Sequence, residues 1–409
     1  MAPAVMLRTL APRFRLTRAG WSVRRIRQVS PRAVKPDGSG RPILPWAVPV
    51  LSFRPVQSDP FTPAWWLPGP HAQTLGARLL RSRRDVAFTR ERVELPDGDF
   101  VDLDWAEVGG RDSSAPLVLV LHGLEGSARS TYAIELYRQL TRHGLAAVGL
   151  NFRSCSGELN RAPRLYHSGD TADLAFVIEL LARRFHTRRL GAAGFSLGGN
   201  VLLKYLSERG HPPPSSSIPF HPRAGAGMGG ITAAAAVSVP FDLSAGADHL
   251  ERGFAKVYRR YLVGKLRRKV AGKAAELAGR IALPHALAAR TFREFDDVAT
   301  APLHGFAHAE DYYRRASSGP LLDRITVPTL LVHSLDDPFL PARAVPTAAT
   351  LGNPAITMAI TARGGHVGFV AGRPWSPVFW AERQVSAFLA RWLTSAFPCP
   401  PLSVPADSA

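Results

Sequence analysis

Regular alternation of apolar and polar residues begins at about Val86, and from there the chain reads as strands and helices in turn. Glu91 to Leu95 alternates, Asp97-Gly98 follows, and Phe100 to Trp105 alternates again. Asp-Gly between two alternating runs predicts a β-hairpin, because a tight turn needs a residue that accepts positive φ. Pro116 to Leu121 (PLVLVL) is apolar throughout, which predicts a strand covered on both faces, as in a parallel sheet. Thr131 to His143 is expected to be a helix and Ala146 to Phe152 the next strand. Asp170 is placed to cap a helix in which Leu174, Val177, Ile178, Leu181 and Phe185 recur at helical spacing. Further strands are expected at Arg189–Ala193, Thr232–Val239, Val327–Val332 and Ala355–Thr361, with helices at Asn200–Leu206 and Trp375–Leu393. Strands alternating with helices imply an α/β fold built on a mostly parallel, doubly wound sheet. Such sheets carry their sites at the carboxyl ends of the strands.

One irregular stretch precedes this rhythm and two more interrupt it. Phe61 to Leu75, with Trp65-Trp66-Leu67-Pro68-Gly69-Pro70-His71, reads as a loop rich in anchoring side chains. Pro212 to Gly230 is rich in Pro, Ser and Gly and reads as a flexible insertion. Asp248 to Tyr313 is mostly helical and lies between two core strands, the place where a cap over the site is expected. The chain therefore divides into a basic, disordered tail (1–58), one α/β domain (59–395) with a cap at about 245–315, and a Pro-rich tail (396–409).

Composition changes this picture little. The 409 residues are 46% hydrophobic, enough for a large core, and carry a net charge of +19. Residues 1–58 hold eleven Lys/Arg against one acid, Asp37; an Arg-rich transit peptide or a surface-binding arm are the other readings of such a tail. No apolar run of about 18 residues predicts a membrane span, and no signal peptide is evident. No motif with interleaved aromatics points to nucleic acid. Two cysteines, Cys155 and Cys399, cannot build a disulfide framework and suggest a reducing compartment. A cytoplasmic protein is expected, with peripheral contact to an anionic membrane as the membrane role that the charge allows.

The chemistry centres on Gly194-Phe195-Ser196-Leu197-Gly198. A lone G-x-S-x-G is weak evidence, but here a small-residue strand precedes it and an apolar-faced helix follows. Strand, sharp turn and helix form the nucleophile elbow that exposes a serine Oγ at the top of an α/β-hydrolase sheet. In that fold the acid and the histidine follow the serine in order. His333-Ser334-Leu335-Asp336-Asp337-Pro338 lies past one later strand and Gly364-Gly365-His366 past the next. His366 is the expected base. Asp337 is favoured as its acid, four residues before Pro341, with Asp336 as a structural acid; the reverse assignment stays open. Oxyanion N–H groups are expected from Leu197 and from Leu124 in the loop His122–Gly126. His122 precedes the serine and is expected to brace that loop. His304, His308, Glu310 and Asp311 lack the HExxH pattern of a zinc site. Gly225-x-Gly227-x-x-Gly230 precedes a strand instead of following one, so it is no dinucleotide fingerprint. No metal or cofactor is expected.

With these residues in view, the chain resembles the YheT-type α/β-hydrolases (AB hydrolase family 4), which include several mammalian ABHD-type lipases. The resemblance rests on WWLPGPHAQTL (65–75), LPDGDFVDLDW (95–105), HGLEGS (122–127), NFRSCSGELNR (151–161), YHSGDTADL (166–174), GFSLGGN (194–200), VPFDL (239–243), FREFDDVATAPLHGF (292–306), DDPF (336–339) and GGHVGF (364–369). It implies Ser196 as nucleophile, Asp337 as acid and His366 as base, and a small-molecule or lipid ester as substrate, acylglycerols and phospholipids included. Ser154 departs from the family's usual glycine, Pro212–Gly230 is long, and the membrane-spanning N-terminus of the mammalian members has no counterpart here. An acyltransferase on the same three residues, or a non-catalytic binding protein on the same scaffold, are the competing functions.

Within the cap, Phe254, Val257, Tyr258, Tyr261, Leu262 and Leu266 recur at helical spacing after Leu250, among Arg252, Lys256, Arg259, Arg260, Lys265, Arg267, Arg268, Lys269 and Lys273. One apolar stripe packed on the core is expected, with a basic face able to meet an anionic interface.

Overall fold

The computed structural model describes residues 60–84, 86–107, 114–210, 230–347 and 352–395. The tails, nearly all of Pro212–Gly230 and Cys399 lie outside the described residues. A helix, α1 (Gly69–Leu80), leads into the hairpin β1 (Ala87–Glu94) and β2 (Phe100–Glu107). There follow β3 (Leu117–Leu121), α2 (Thr131–Arg142), β4 (Ala146–Asn151), α3 (Ala172–Arg184), β5 (Leu190–Phe195), α4 (Leu197–Gly210) and β6 (Ile231–Val237). Between β6 and the next strand the chain makes α5 (Leu243–His249), α6 (Ala255–Gly272), α7 (Ala274–Leu277), α8 (Leu283–Ala288), α9 (Phe292–Phe295), α10 (Ala301–Leu303) and α11 (Ala309–Ala316). It closes with β7 (Thr329–Ser334), β8 (Ile356–Thr361), the small hairpin β9 (Val370–Arg373) and β10 (Ser376–Phe379), and α12 (Trp380–Thr394).

Eight strands form one sheet in the order β1-β2-β4-β3-β5-β6-β7-β8. β1 and β2 pair antiparallel, as does β2 with β4. All pairings from β4 to β8 are parallel. The apolar run of β3 is explained by its place: it pairs on both edges and every residue is buried. Its side chains alternate, Leu117, Leu119 and Leu121 packing with Leu174, Val177 and Leu202 on one face. Val118 and Val120 pack with Leu136, Tyr137 and Phe388 on the other. Helices cover both faces, which is the expected doubly wound α/β architecture.

Three boundaries differ from the sequence-based expectation. Gly69–Leu80, half of which was expected to be loop, is helical; Pro70 sits in its first turn, where a missing N–H costs nothing. Asp170 does not cap α3. It is buried against Arg164 at 2.6 Å, and Thr171 precedes the helix without a side-chain cap. The last helix starts at Trp380, because Ser376–Phe379 pairs antiparallel with β9.

The cap stripe also divides. Tyr258, Leu262 and Leu266 point inward with Val263 and Val270, whereas Phe254, Val257 and Tyr261 are exposed. Helical angle explains the split: Val257 and Tyr261 lie on the outer side of α6 from Leu262 and Leu266. Arg259 is half-buried and paired with Glu251. Deeper in the insertion, a π-turn at Asp296–Thr300 buries Asp296, whose carboxylate accepts from Thr300 Oγ1 (2.6 Å) and Tyr313 O–H (2.8 Å).

A buried ionic cluster ties the hairpin to α3. Arg153 donates to both carboxylate oxygens of Asp173 and to Asp97 and Asp99, each at 2.7 Å. Removing one member of such a cluster strands the others as unpaired charges. Arg153→Met is expected to lose about 3–5 kcal/mol, read as a lower urea midpoint; an unchanged midpoint would refute this role.

Asp296 makes stability depend on pH. Burial pushes its carboxyl up to about 6, against the hydrogen bonds of Thr300 and Tyr313. A folded pKa above the unfolded one means the stabilising contribution is full at low pH and is lost as pH rises through about 6. Asp296→Asn should therefore have a more favourable change in Tm at pH 8 than at pH 5, whatever its absolute effect. Equal changes at both pH values would sink this account.

Candidate active site

Ser196 sits in the turn between β5 and α4 with φ +52°, a left-handed conformation that a non-glycine residue rarely adopts. Its N–H donates to Val237 O of the neighbouring strand (2.8 Å), and its carbonyl accepts the Asn200 N–H of α4 (3.1 Å). Glycine is required two residues on: a Cβ at Gly198 would lie 2.5 Å from His122 O. Asn200 anchors the helix start, donating to Ser168 O and Ala316 O (both 2.8 Å) and accepting from Ser318 N–H (3.0 Å).

The loop after β8 brings His366 Nε2 to 3.0 Å from Ser196 Oγ. Its Nδ1 lies 2.9 Å and 3.1 Å from the two carboxylate oxygens of Asp337. Ser196, Asp337 and His366 thus converge as one hydrogen-bonded line. Asp336 does not reach the imidazole; its carboxylate accepts the Gly365 N–H at 2.9 Å and holds the histidine loop. Burial works to raise the Asp337 carboxyl, but the charge and hydrogen bond of His366, His333 and the Phe339 N–H outweigh it, leaving it below the usual carboxylate range. Asp337 is therefore an anion in the fold, with its carboxylate against His366 Nδ1.

Leu124 and Leu197 line the same cavity as Ser196 and His366. Neither backbone N–H has an acceptor among the described residues. Leu197 N–H opens α4 and belongs to the positive end of that helix. The Leu124 loop is pinned on three sides. Gly123 N–H donates to Tyr132 O–H (2.8 Å), Glu125 N–H to Tyr166 O–H (2.7 Å), and Lys269 of α6 pairs with Glu125 (2.6 Å). His122 braces it from below: Nδ1 meets Gly123 O at 2.7 Å, and Nε2 accepts from Phe152 N–H at 3.2 Å. Burial pushes this imidazole down to about 4, so it is neutral.

Several participants escaped the motif-based expectations. Phe339 stacks on His366 with centroids 3.9 Å apart. Thr74 of α1 accepts the His366 N–H (2.9 Å), and Ser238 accepts the Val367 N–H (3.0 Å). Buried Arg81 donates to Val367 O and Gly368 O and pairs with buried Glu382 of α12. Thr74 and Phe339 lie inside HAQTL and DDPF, so the motifs held the signal without its meaning. His333 is buried 3.7 Å from Asp337, too far for a hydrogen bond, and burial lowers it to about 4. Ser154, in place of the family's usual glycine, takes φ +61° and its Oγ accepts from Asn160 N–H (3.0 Å).

The cavity over Ser196 is walled by Leu165, Leu243, Leu250, Leu262, Leu266, Phe292 and Phe295, all from outside the central sheet. Cys155 is half-buried, and burial pushes its thiol up to about 11, unsuited to nucleophilic work. The His304 ring lies tilted against that of His167 (4.3 Å), while His308 caps α11 by accepting from Asp311 N–H. Among the described residues no group of three or more His, Cys, Asp or Glu is placed to hold a metal ion.

The family model described as the alpha/beta hydrolase fold matches residues 116–372. YheT of Escherichia coli (strain K12), whose name assigns it provisionally to the esterases, is 41% identical over 340 residues, covering 82% of this chain and 94% of YheT. Phospholipase ABHD3 of Homo sapiens is 29% identical over 324 residues, 78% of this chain and 75% of that one. Monoacylglycerol lipase of Saccharomyces cerevisiae is 30% identical over 275 residues, 64% of this chain and 58% of that one. The match over more than half of the sequence and the 41% identity to YheT across most of both chains establish that this chain belongs to the alpha/beta hydrolase fold family, in its YheT-type branch.

Proposed function

We propose that the chain hydrolyses carboxylic esters through Ser196, His366 and Asp337, with the Leu124 and Leu197 N–H groups as the oxyanion site. The observation that carries this is the unbroken line from Asp337 through His366 to Ser196 Oγ beneath an apolar cavity. Ser196 Oγ attacks the ester carbonyl carbon as His366 Nε2 takes its proton. The two N–H groups stabilise the oxyanion that forms. His366 then gives the proton to the departing alcohol oxygen, and the acyl group stays on Ser196. Water, deprotonated by the same nitrogen, attacks the acyl-enzyme, and the acid leaves as Ser196 recovers its proton. Asp337 remains ionised throughout and stabilises the imidazolium.

The helical insertion from α5 to α11 serves as a cap, and its leucines and phenylalanines suit an acyl chain. A lipid ester is the substrate class this favours, in keeping with the phospholipase and monoacylglycerol lipase names among the relatives.

A fluorophosphonate probe should label Ser196 covalently. Ser196→Ala and His366→Ala should each abolish labelling; full labelling of Ser196→Ala would show that another residue is the nucleophile. On p-nitrophenyl esters of graded chain length, Asp337→Asn should lower kcat by about 10³–10⁴-fold, because asparagine favours the wrong imidazole tautomer. Asp336→Asn should cost far less. The opposite ranking would reverse the two roles.

A further inference from the structure

We propose that the outer faces of α1 and α6 form one surface that docks on an anionic lipid bilayer. The inference deepens the lipid-ester reading by giving the enzyme a route to its substrate, but the binding itself does not depend on that reading. Leu79 of α1 is 84% exposed, and Leu75, one turn before it, is also exposed. Across from them, α6 exposes Val257 and Tyr261, and Phe254 just before its start. The helices touch at this edge. The His71 ring lies 4.6 Å from that of Phe254 and its Nδ1 3.0 Å from Tyr258 O–H, while the Arg78 guanidinium stands 5.7 Å over the Tyr261 ring. Scattered exposed apolar residues need no explanation, but several gathered on two helices that touch one another call for one.

The opposite flank of α1 adds two tryptophans. Trp65 is 78% and Trp375 76% exposed. Ala64 N–H to Val370 O (2.9 Å), Trp66 Nε1–H to Gly372 O (3.0 Å) and Gln73 Nε2–H to Val370 O (3.1 Å) hold their segments and α1 together. Tryptophan at the border of an apolar face suits the headgroup layer.

Charge selects the occupant. Neither α1 (GPHAQTLGARLL) nor α6 (AKVYRRYLVGKLRRKVAG) contains a carboxylate. Lys256, Arg260, Arg267 and Arg268 are exposed along α6 beside its apolar positions. Apolar side chains with lysine and arginine at their flank suit the interface of a bilayer holding anionic lipid. The inner side of the same helix supplies Leu262 and Leu266 to the cavity over Ser196. The element laid on lipid is thus the one that walls the substrate site. Among the described residues no helix is long and apolar enough to cross a membrane.

The test uses the full chain and co-sedimentation with phosphatidylcholine vesicles with or without about 30% phosphatidylglycerol, at low salt. The wild type should bind the anionic vesicles and be released by salt. Replacing Lys256, Arg260, Arg267 and Arg268 together by Gln, or Leu79 and Val257 together by Ser, should weaken partitioning about tenfold or more. Hydrolysis of a soluble short-chain p-nitrophenyl ester should persist in both variants. That arm separates this proposal from the catalytic one, which fails only if Ser196 proves inert. Because the basic segment 1–58 could bind anionic vesicles by itself, a local probe is added. NBD on Leu79→Cys, in a Cys399→Ser background, should shift to the blue on anionic vesicles, and NBD on Arg183→Cys of α3 should not. Unchanged partitioning in both variants, or no shift at position 79, would overturn the proposal. So would variants that alter only self-association in the absence of vesicles, which would make the face a contact between copies.

Discussion

The left-handed backbone at Ser196 is the constraint on which the site depends. Holding a non-glycine residue there costs about 1–3 kcal/mol, so the surroundings must leave no relaxed alternative. They do so by close packing of backbone on backbone. The Ser196 N–H is committed to Val237 O, and Gly198 presses on the β3–α2 loop, where a methyl group would meet His122 O at 2.5 Å. The parallel arrangement of β3, β5 and β6 is what brings these three chain segments side by side. Glu125, Ser154, Ser238, Val367 and Phe369 share the left-handed conformation, and each also follows the end of a sheet strand. Strain is thus gathered along the carboxyl edge, where the cores on both faces of the sheet can offset it.

A strained serine is of use only if its partner stays in register, and that falls to the loop carrying His366. Its order comes from contacts with distant parts of the chain. α1 supplies Thr74 to the His366 N–H, β6 is followed by Ser238 on Val367, and Asp336 takes Gly365. Arg81 clamps two carbonyls of the loop while its charge is met by Glu382 in a fully buried pair. Burial pushes that carboxyl up to about 7 despite Arg81. The desolvation cost of this pair is accepted where it fixes geometry, since a hydrophobic pair could fill the volume but could not hold two carbonyl oxygens.

The central strands were legible because their physical signal is local. PLVLVL reads as a strand covered on both faces, and Asp97-Gly98 turns where it should, with Gly98 at φ +78°. The order serine, acid, histidine was legible for the same reason: each residue follows a recognisable strand. What escaped notice depends on which partner a residue meets in the fold, whether that partner is near or far along the chain. Asp170 looks like a helix cap until Arg164 is placed beside it. Ser376–Phe379 looks like the start of a helix until β9 offers it a ladder. Phe339 and Thr74 touch the histidine only after the loops have folded over one another. Loop spacing and the family resemblance rank Asp337 over Asp336, and their separation in space comes from the turn after β7, which turns one carboxylate to the Gly365 N–H and the other to the imidazole.

The cap helix shows where periodicity stops being informative. Apolar residues at 254, 257, 258, 261, 262 and 266 cover more of the helix circumference than one core-facing stripe requires. From sequence the surplus merges with the stripe, because a step of three or four residues keeps neighbours on adjacent faces. The orientation of α6 in the fold separates the two sets. Tyr258 turns to His71, Leu262 and Leu266 turn to the cavity, and Val257 and Tyr261 are left facing water. An isolated chain gains nothing from that exposure, because these side chains are hydrated in the folded and unfolded states alike. In the docking proposed above, the carboxylate-free sequences of α1 and α6 set the sign of the partner, an anionic one.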